Sequence, residues 1–283
     1  MREMASNVVN LNRFRKKKVR DAKAKQAETN RIRHGRTQAE KDREHAQRQR
    51  AERAIEGKRI ERDVLSVPGL VVPAALVERL AALGAHVRVG CLATVGDYLA
   101  RLLAMNEEMN LTAITDPSIA WERHALDALS LMPHLADVPA GGRFVDIGSG
   151  GGVPGIPLAI ARPDLHVTLI EATQKKARFL AAVSDDLGLS NVTVHAERAE
   201  ELATGPLGGR FDVVTARAVA RLARLVPLVV PFARVGGRLL LIKGQRVEEE
   251  LQEAKDALAA HHVRHEATIA TPTGRIVILV RAR

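Results

Sequence analysis

The sequence predicts an α/β protein in which a helical segment precedes a mostly parallel, seven-stranded sheet. From residue 139 onward, short apolar runs alternate with segments of helical periodicity, which is typical of a parallel sheet with helices on both faces. The last two apolar runs are joined only by residues 271–274, a connection too short for a crossover helix. The sheet should therefore end in an antiparallel C-terminal hairpin at one edge.

We assign residues 64–138 to a helical N-terminal extension of the sheet domain, which covers residues 139–283. Asp116 followed by Pro117 is a typical N-cap and first-turn pair, so one helix of the extension should start there. We expect helices of the extension over residues 73–82, 92–105 and 116–132. In the sheet domain we expect strands over 143–148, 166–171, 192–196, 211–216, 236–243, 263–270 and 275–281, with helices over 155–162, 174–187, 219–230 and 246–261.

Residues 1–63 differ in composition from the rest of the chain. They contain 20 Lys and Arg against 10 Asp and Glu, which accounts for the whole net charge of +10, and Phe14 is their only aromatic residue. So little apolar surface predicts a disordered or partly helical tail, with a solvated helix over 37–60 flanked by the basic run 13–18. The tail is either a solvated segment or an arm that binds RNA by releasing counterions from phosphates. It resembles a family of small basic bacterial proteins of unknown function through Val9-Asn10-Leu11, Phe14-Arg15-Lys16 and Gly35-Arg36-Thr37.

Composition excludes several classes of protein. Cys91 is the only cysteine, which excludes a disulfide framework and a cysteine-based metal cage, and no histidines are spaced as metal ligands. No apolar run approaches the roughly 18 residues of a membrane span, and no apolar stretch follows the basic N-terminus as it would in a secretory signal. We therefore expect a soluble, cytoplasmic, monomeric protein without a metal or a membrane partner.

The loop after the first predicted strand indicates a cofactor site. Glycines in residues 148–155 let the backbone approach a ligand at the crevice of a Rossmann-like sheet. Their spacing fits a dinucleotide, as G-x-G-x-x-G from Gly150, or S-adenosylmethionine, with Asp146 ahead of Gly148 and Gly150. The Asp146 carboxylate would repel a pyrophosphate and suits the ammonium and sulfonium of S-adenosylmethionine, whereas Glu171 could accept from the ribose of either. A methyltransferase is therefore favoured over an NAD(P)-binding dehydrogenase, which remains the alternative.

Further sequence motifs, here called strings, narrow this class of methyltransferases to one family. They are Asn106…Met109-Asn110-Leu111-Thr112-Ala113-Ile114, Trp121…His124…Asp127…Leu129, Pro154-Gly155-Ile156-Pro157-Leu158, Arg198-Ala199-Glu200-Glu201 and Ala216-Arg217-Ala218. Through them, the chain from about residue 92 onward resembles the bacterial 16S rRNA guanine-N7 methyltransferases, the RsmG or glucose-inhibited division protein B family. The family usually has Ser where this chain has Ala128.

The resemblance implies a class I S-adenosylmethionine-dependent methyltransferase fold and methylation of N7 of a guanine in 16S rRNA of the small ribosomal subunit. It places cofactor contacts at Gly148, Val153, Ala199, Glu200 and Arg217, beside the Asp146, Gly150 and Glu171 identified above. Because guanine N7 carries an in-plane lone pair, no proton has to leave before methyl transfer, and we assign no catalytic residue. The alternative from another class is a non-catalytic rRNA-binding assembly factor that uses this fold as a scaffold.

Cations follow several predicted strands at the rim where the cofactor should bind. We expect RNA contacts at Lys175, Lys176, Arg221 and Lys243. Such cations would contact phosphates around a flipped or looped-out base. The alternative is that they are ordinary solvated helix starts, although cations at helix N-termini oppose the helix dipole.

Overall fold

The computed structural model describes residues 11–34, 42–48 and 67–283. The chain divides into two compact units, Met1–Glu56 and Gly57–Arg283. Among the described residues, no helix is long and apolar enough to cross a bilayer.

In the first unit, helix α1 covers Leu11–His34 and helix α2 covers residues 42–48. The basic run 13–18 lies inside α1, a helix that the sequence analysis did not locate although it allowed for a partly helical tail. The run is helical because Lys, Arg, Ala and Gln favour helix and neither Gly nor Pro interrupts the chain before Gly35. Of the helix predicted over 37–60, only 42–48 lies within the described residues, and it is helical.

In the second unit, residues 67–283 contain a seven-stranded sheet with the order β3-β2-β1-β4-β5-β7-β6. The strands are β1 Arg143–Ile147, β2 His166–Ile170, β3 Val192–His195, β4 Phe211–Arg217, β5 Ala233–Lys243, β6 Val263–Ala270 and β7 Arg275–Arg281. β1 to β5 pair in parallel, whereas β7 pairs antiparallel with both β5 and β6. The predicted parallel sheet with its C-terminal hairpin is confirmed.

The helices that cover the sheet are α7 Gly155–Ala161, α8 Gln174–Asp186, α9 Ala199–Ala203, α10 Leu222–Val229, α11 Val247–Glu253 and α12 Lys255–Ala260. These helices differ from the sequence-based expectation at three places along the chain. The sequence indicated no helix at α9, which has only five residues. α10 begins at Leu222 because the three residues before it form a loop after β4, and the helix predicted over 246–261 is interrupted at Ala254.

The helical extension consists of α3 Leu76–Ala82, α4 Val89–Met109, α5 Pro117–Ala120, a π-helical segment Trp121–Leu126, α6 Asp127–Leu129 and a 3₁₀ segment Met132–Leu135. The prediction of one continuous α-helix over 116–132 is therefore wrong. It starts as expected, since the Asp116 carboxylate accepts a hydrogen bond from the N–H of Ile119. A π-helical segment often marks a functional site, and its sequence carries no propensity signal that separates it from an α-helix.

Two hydrophobic clusters cover the two faces of the sheet. Alternate residues of β1 divide between them, with Phe144 in one cluster and Val145 and Ile147 in the other. The first cluster also contains Leu92 and Leu129 of the helical extension. The extension and the sheet therefore share a core, which fixes α4 and the π-helical segment close to the carboxyl end of β1.

Candidate active site

A cavity of about 590 Å³ opens at the carboxyl ends of the central strands. β1 and β4 are neighbours there, and the strand order reverses between them, which is the position where open α/β sheets bind ligands. Its walls are formed by Leu102, Leu111, Thr112, Ala113, Ile114, Arg123, His124, Gly148, Ser149, Gly150, Gly151, Val153, Glu171, Lys176, Arg217, Ala218 and Val219. Gly148, Gly150, Val153, Glu171, Lys176 and Arg217 are thus brought together as the sequence predicted.

The glycine loop between β1 and α7 forms the floor of the cavity. Gly148 has a φ of +69°, and a Cβ there would lie 2.9 Å from Cγ2 of Val219, so both conformation and space require glycine. The buried hydroxyl of Tyr98, from α4, donates a 2.8 Å hydrogen bond to the carbonyl oxygen of Gly151. The helical extension therefore holds the loop from the side opposite the sheet.

Glu171 connects the glycine loop to the end of β2. One carboxylate oxygen accepts from the N–H of Gly150 at 2.9 Å and the other from the N–H of Thr173 at 2.7 Å. The side chain is 8% exposed and faces the cavity. Each carboxylate oxygen retains a second lone pair, so Glu171 can also accept from ligand hydroxyls while it orders the loop.

Asp146 lies below the cavity and does not line it, contrary to its predicted contact with the cofactor. It is 1% exposed and accepts from the hydroxyl of Thr215 at 3.0 Å and from the N–H of Gly155 at 3.3 Å. Burial raises the pKa of Asp146 to about 6. The residue sits on β1 with its side chain directed at β4 and α7, so its role is to hold those elements together.

Arg217 ends β4 and extends its guanidinium into the cavity beside the π-helical segment. Its Nη1 lies 3.3 Å from Nδ1 of His124, and Nε2 of the same imidazole lies 3.0 Å from the hydroxyl oxygen of Thr112. Burial, followed by the charge of Arg217, lowers the pKa of His124 to about 4. The neutral imidazole therefore accepts from Arg217 and donates to Thr112.

Thr112 is itself held in place by backbone contacts. Its N–H donates to Oδ1 of Asn106 at 2.8 Å, and its hydroxyl oxygen accepts from the N–H of Ile114 at 3.1 Å. A chain of hydrogen bonds thus runs from α4 through Thr112 and His124 to Arg217. The sequence alone assigned no role to His124. The only available signal was that these residues occur in the strings that resemble the family.

A carboxylate lies near this network. Asp127 is 6% exposed, burial raises its pKa to about 6, and the attraction of Arg217 opposes that rise. Burial also lowers the pKa of Arg217, and the negative charge of Asp127 is the largest effect that opposes this shift. Ala128, where the family usually has Ser, is fully buried in the next position.

The loop that follows β4 forms the remaining wall of the cavity. Ala218 adopts a left-handed conformation with a φ of +54°, which is uncommon for a residue other than glycine. Val219 follows it, lines the cavity and is 37% exposed. The sequence alone assigned no role to either residue, although Ala218 occurs in one of the strings that resemble the family.

Ala199 and Glu200 do not line the cavity. Ala199 is buried at the start of α9, and Glu200 is exposed beside it. They lie along the same edge of the sheet, since the N–H of Glu171 donates to the carbonyl oxygen of His195 at the end of β3 at 3.0 Å. Their contact with the adenine side of a cofactor stays a prediction.

The four predicted RNA contacts lie in different environments. Lys176 lines the cavity, whereas Lys175 is half-buried outside it. Arg221 is exposed and forms a two-pronged ion pair with Glu253, at 2.9 and 2.8 Å. Arg123, which the sequence did not suggest, is exposed and lines the cavity.

Lys243 is the one predicted RNA contact that the structure removes from the surface. Its side chain is 8% exposed, its Nζ lies 2.8 Å from Oε2 of Glu250, and it donates to the carbonyl oxygen of Ala220 at 2.7 Å. Oε2 of Glu250 also accepts from the N–H of Leu222. Lys243 therefore holds the loop after β4 against α10 and α11, which its position after a strand could not reveal.

Comparison with known proteins decides the family. A family model described as rRNA small subunit methyltransferase G matches residues 92–277. This chain belongs to that family. A ribosomal RNA small subunit methyltransferase G from Sorangium cellulosum is 60% identical over 222 residues, which are 77% of this chain and 93% of the relative. The protein of the same name from Roseiflexus castenholzii is 47% identical over 163 residues, which are 57% of this chain and 69% of the relative.

Membership of the methyltransferase G family confirms the predicted class of enzyme and its S-adenosylmethionine cofactor, and it gives no support to a dehydrogenase or a non-catalytic factor. The solved structure of a SAM-dependent methyltransferase from Aquifex aeolicus aligns with a TM-score of 0.48 and 16% identity, over 61% of this chain and 97% of that chain. A second family model, described as a domain of unknown function (DUF4169), matches residues 6–60.

Proposed function

We propose that this chain transfers the methyl group of S-adenosylmethionine to N7 of a guanine in 16S rRNA of the small ribosomal subunit. For this member of the methyltransferase G family, the proposal rests on one structural observation. The glycine loop, Glu171 and Arg217 face a single cavity at the point where the strand order reverses. We expect the protein to act as a monomer in the cytoplasm.

The residues around the cavity fit S-adenosylmethionine better than a dinucleotide. The N–H of Gly150, which could face a phosphate, already donates to the Glu171 carboxylate. The Glu171 carboxylate can accept from ribose hydroxyls of either cofactor, whereas an N–H that is already used is less available to a pyrophosphate. When bound, S-adenosylmethionine supplies an electrophilic methyl group and the sulfur that leaves with the electron pair. Gly148 and Val153 would form the wall against which it is held.

The chemistry requires alignment more than proton transfer. The lone pair of guanine N7 lies in the plane of the ring, so no general base is needed before the N–C bond forms and the S–C bond breaks. Arg217 is held at the cavity by His124 and Thr112, so its guanidinium is fixed before substrate arrives. Preorganisation of this kind reduces the cost of ordering the site during the reaction.

Contacts with RNA would surround the mouth of the cavity. Arg123, Lys176 and Arg217 line it, and Glu171 is the single carboxylate among the described residues of its walls. An excess of cations around a cavity favours phosphates of the strand that carries the target base. The base itself has to leave its stack to reach the cavity.

The experiment compares the 16S rRNA of cells with and without this protein by mass mapping of rRNA fragments. We expect one guanine-containing fragment to be heavier by one methyl group only when the protein is present. After digestion to nucleosides, the added methyl group should be found in N7-methylguanosine. Identical maps, or a methyl group at a different atom, would contradict it. A His166→Gln variant serves as a positive control and should restore the methylation in cells that lack the protein. His166 is exposed at the start of β2, away from the cavity.

A further inference from the structure

Helix α1 concentrates the excess charge of the chain. It contains ten Lys and Arg against two Asp and Glu within 24 residues, a balance of +8 out of the +10 of the whole chain. We infer that α1 is a nucleic-acid-binding arm, which contacts the phosphate backbone of RNA and adds affinity that does not depend on sequence. The choice of RNA as partner rests on the proposed function.

The cations of α1 are available to a partner. Every residue from 15 to 30 is exposed, and seven of these residues are Lys or Arg. The run Arg15, Lys16, Lys17 and Lys18 covers a complete turn, so charge projects in all directions from this part of the helix. A helix of 24 residues is about 36 Å long and can therefore follow several consecutive phosphates.

The arrangement of the other residues argues against a membrane or an apolar groove as the partner. Val19 is the only large apolar side chain between residues 15 and 30, and it is 60% exposed. A helix that lies on a bilayer or in a groove needs an apolar stripe along one face. The two acidic residues, Asp21 and Glu28, are seven positions apart and share a face, which leaves the rest of the circumference to cations.

The partner must also compensate for repulsion within the helix. Eight excess positive charges within about 36 Å repel one another, and a helix without an apolar stripe gains little from packing. Phosphates remove the repulsion and release their condensed counterions, which gives binding a steep dependence on salt. The helix content of α1 should therefore rise when RNA is added.

The test measures the affinity of the full chain for transcribed 16S rRNA at several salt concentrations between about 50 and 200 mM. The variant Lys16→Gln/Lys17→Gln/Lys18→Gln removes three charges and keeps good helix formers in place. Each phosphate contact contributes about 0.7–0.9 to the slope of log affinity against log salt, so the slope should fall by about 2–3. The matched control Arg88→Gln/Lys255→Gln/Arg264→Gln removes three exposed charges from the helical extension and the sheet domain and should change the slope less.

Three outcomes would contradict the proposal that α1 binds RNA. These are equal slopes for the variant and the wild type, an equal change in the control, and tighter binding of the wild type to phosphatidylserine-containing vesicles than to RNA. Affinity for S-adenosylmethionine should be the same in all proteins. If the salt slopes of wild type and variant differ as expected while neither protein methylates guanine, the proposed function is wrong and the RNA-binding role of α1 is supported. If methylation is normal and the slopes are equal, the arm fails and the proposed function stands.

Discussion

Nη1 of Arg217 lies 3.3 Å from Nδ1 of His124, and this contact joins the end of β4 to the π-helical segment of the helical extension. The imidazole can accept this hydrogen bond only while it is neutral. Because burial and the charge of Arg217 lower the pKa of His124 to about 4, the contact persists at neutral pH. His124 is therefore a positioning residue for the cation that faces the cavity.

Replacement of His124 should lower the rate of methyl transfer without unfolding the protein. The His124→Ala variant leaves the buried guanidinium of Arg217 without this acceptor, and a hydrogen bond to a charged group contributes about 1.5–3 kcal/mol. We expect a loss of roughly ten- to a hundredfold in single-turnover transfer, with partial rescue by His124→Gln, which restores an acceptor. A rate within twofold of the His166→Gln control would remove His124 from the site.

The same residue should make stability depend on pH. The folded pKa of His124, about 4, is below its unfolded value of 6.5, so between these values the unfolded state binds more protons and the free energy of unfolding rises with pH. The stability difference between wild type and His124→Gln should therefore grow by up to about 3 kcal/mol from pH 4 to 6.5. Asp127 and Asp146, whose raised pKa values act in the opposite direction, are present in both proteins. A constant difference in urea unfolding would contradict the neutral imidazole.

Glu171 and Asp146 should respond differently to substitution. Glu171→Ala removes a cavity carboxylate and the acceptor for Gly150, so affinity for S-adenosylmethionine should fall by about 1–3 kcal/mol, measured by calorimetry. Asp146→Asn should mainly lower the free energy of unfolding, since the residue is buried below the cavity. Glu266→Ala, on the exposed edge strand, is the control and should change neither quantity. Unchanged cofactor affinity in Glu171→Ala would exclude it from the site.

Lys176 and Lys243 provide a contrast between a cavity cation and a structural one. Lys176→Gln should reduce the salt slope of rRNA affinity by about 1, as expected for one phosphate contact. Lys243→Met leaves the Glu250 carboxylate, whose side chain is 13% exposed, without its cation and should cost up to about 3–5 kcal/mol of stability, with an unchanged slope. If Lys243→Met lowered the salt slope and left the stability unchanged, Lys243 would be an RNA contact after all.

The strands, the hairpin and the glycine loop could be predicted because they depend on local signals. Apolar runs, connection lengths and glycine spacing are all readable along the chain. The network of Thr112, His124 and Arg217 could not be predicted, because His124 and Arg217, which are 93 positions apart, meet only after the extension packs on the sheet. The place of Asp146 ahead of the glycines suggested that it faces a ligand, and the place of Lys243 at the end of a strand suggested the same for that residue. Neither signal could show that each of these side chains already has a protein partner.

The most direct test of the account is single-turnover methyl transfer from labelled S-adenosylmethionine to 16S rRNA by wild type and the Arg217→Ala variant, with circular dichroism to confirm that both are folded. Arg217 lines the cavity at the end of β4, where cofactor and target base should meet. We expect the wild type to place label in N7-methylguanosine and the variant to lose most of that transfer. Near-normal transfer by a folded Arg217→Ala protein would contradict the assignment of this cavity as the active site.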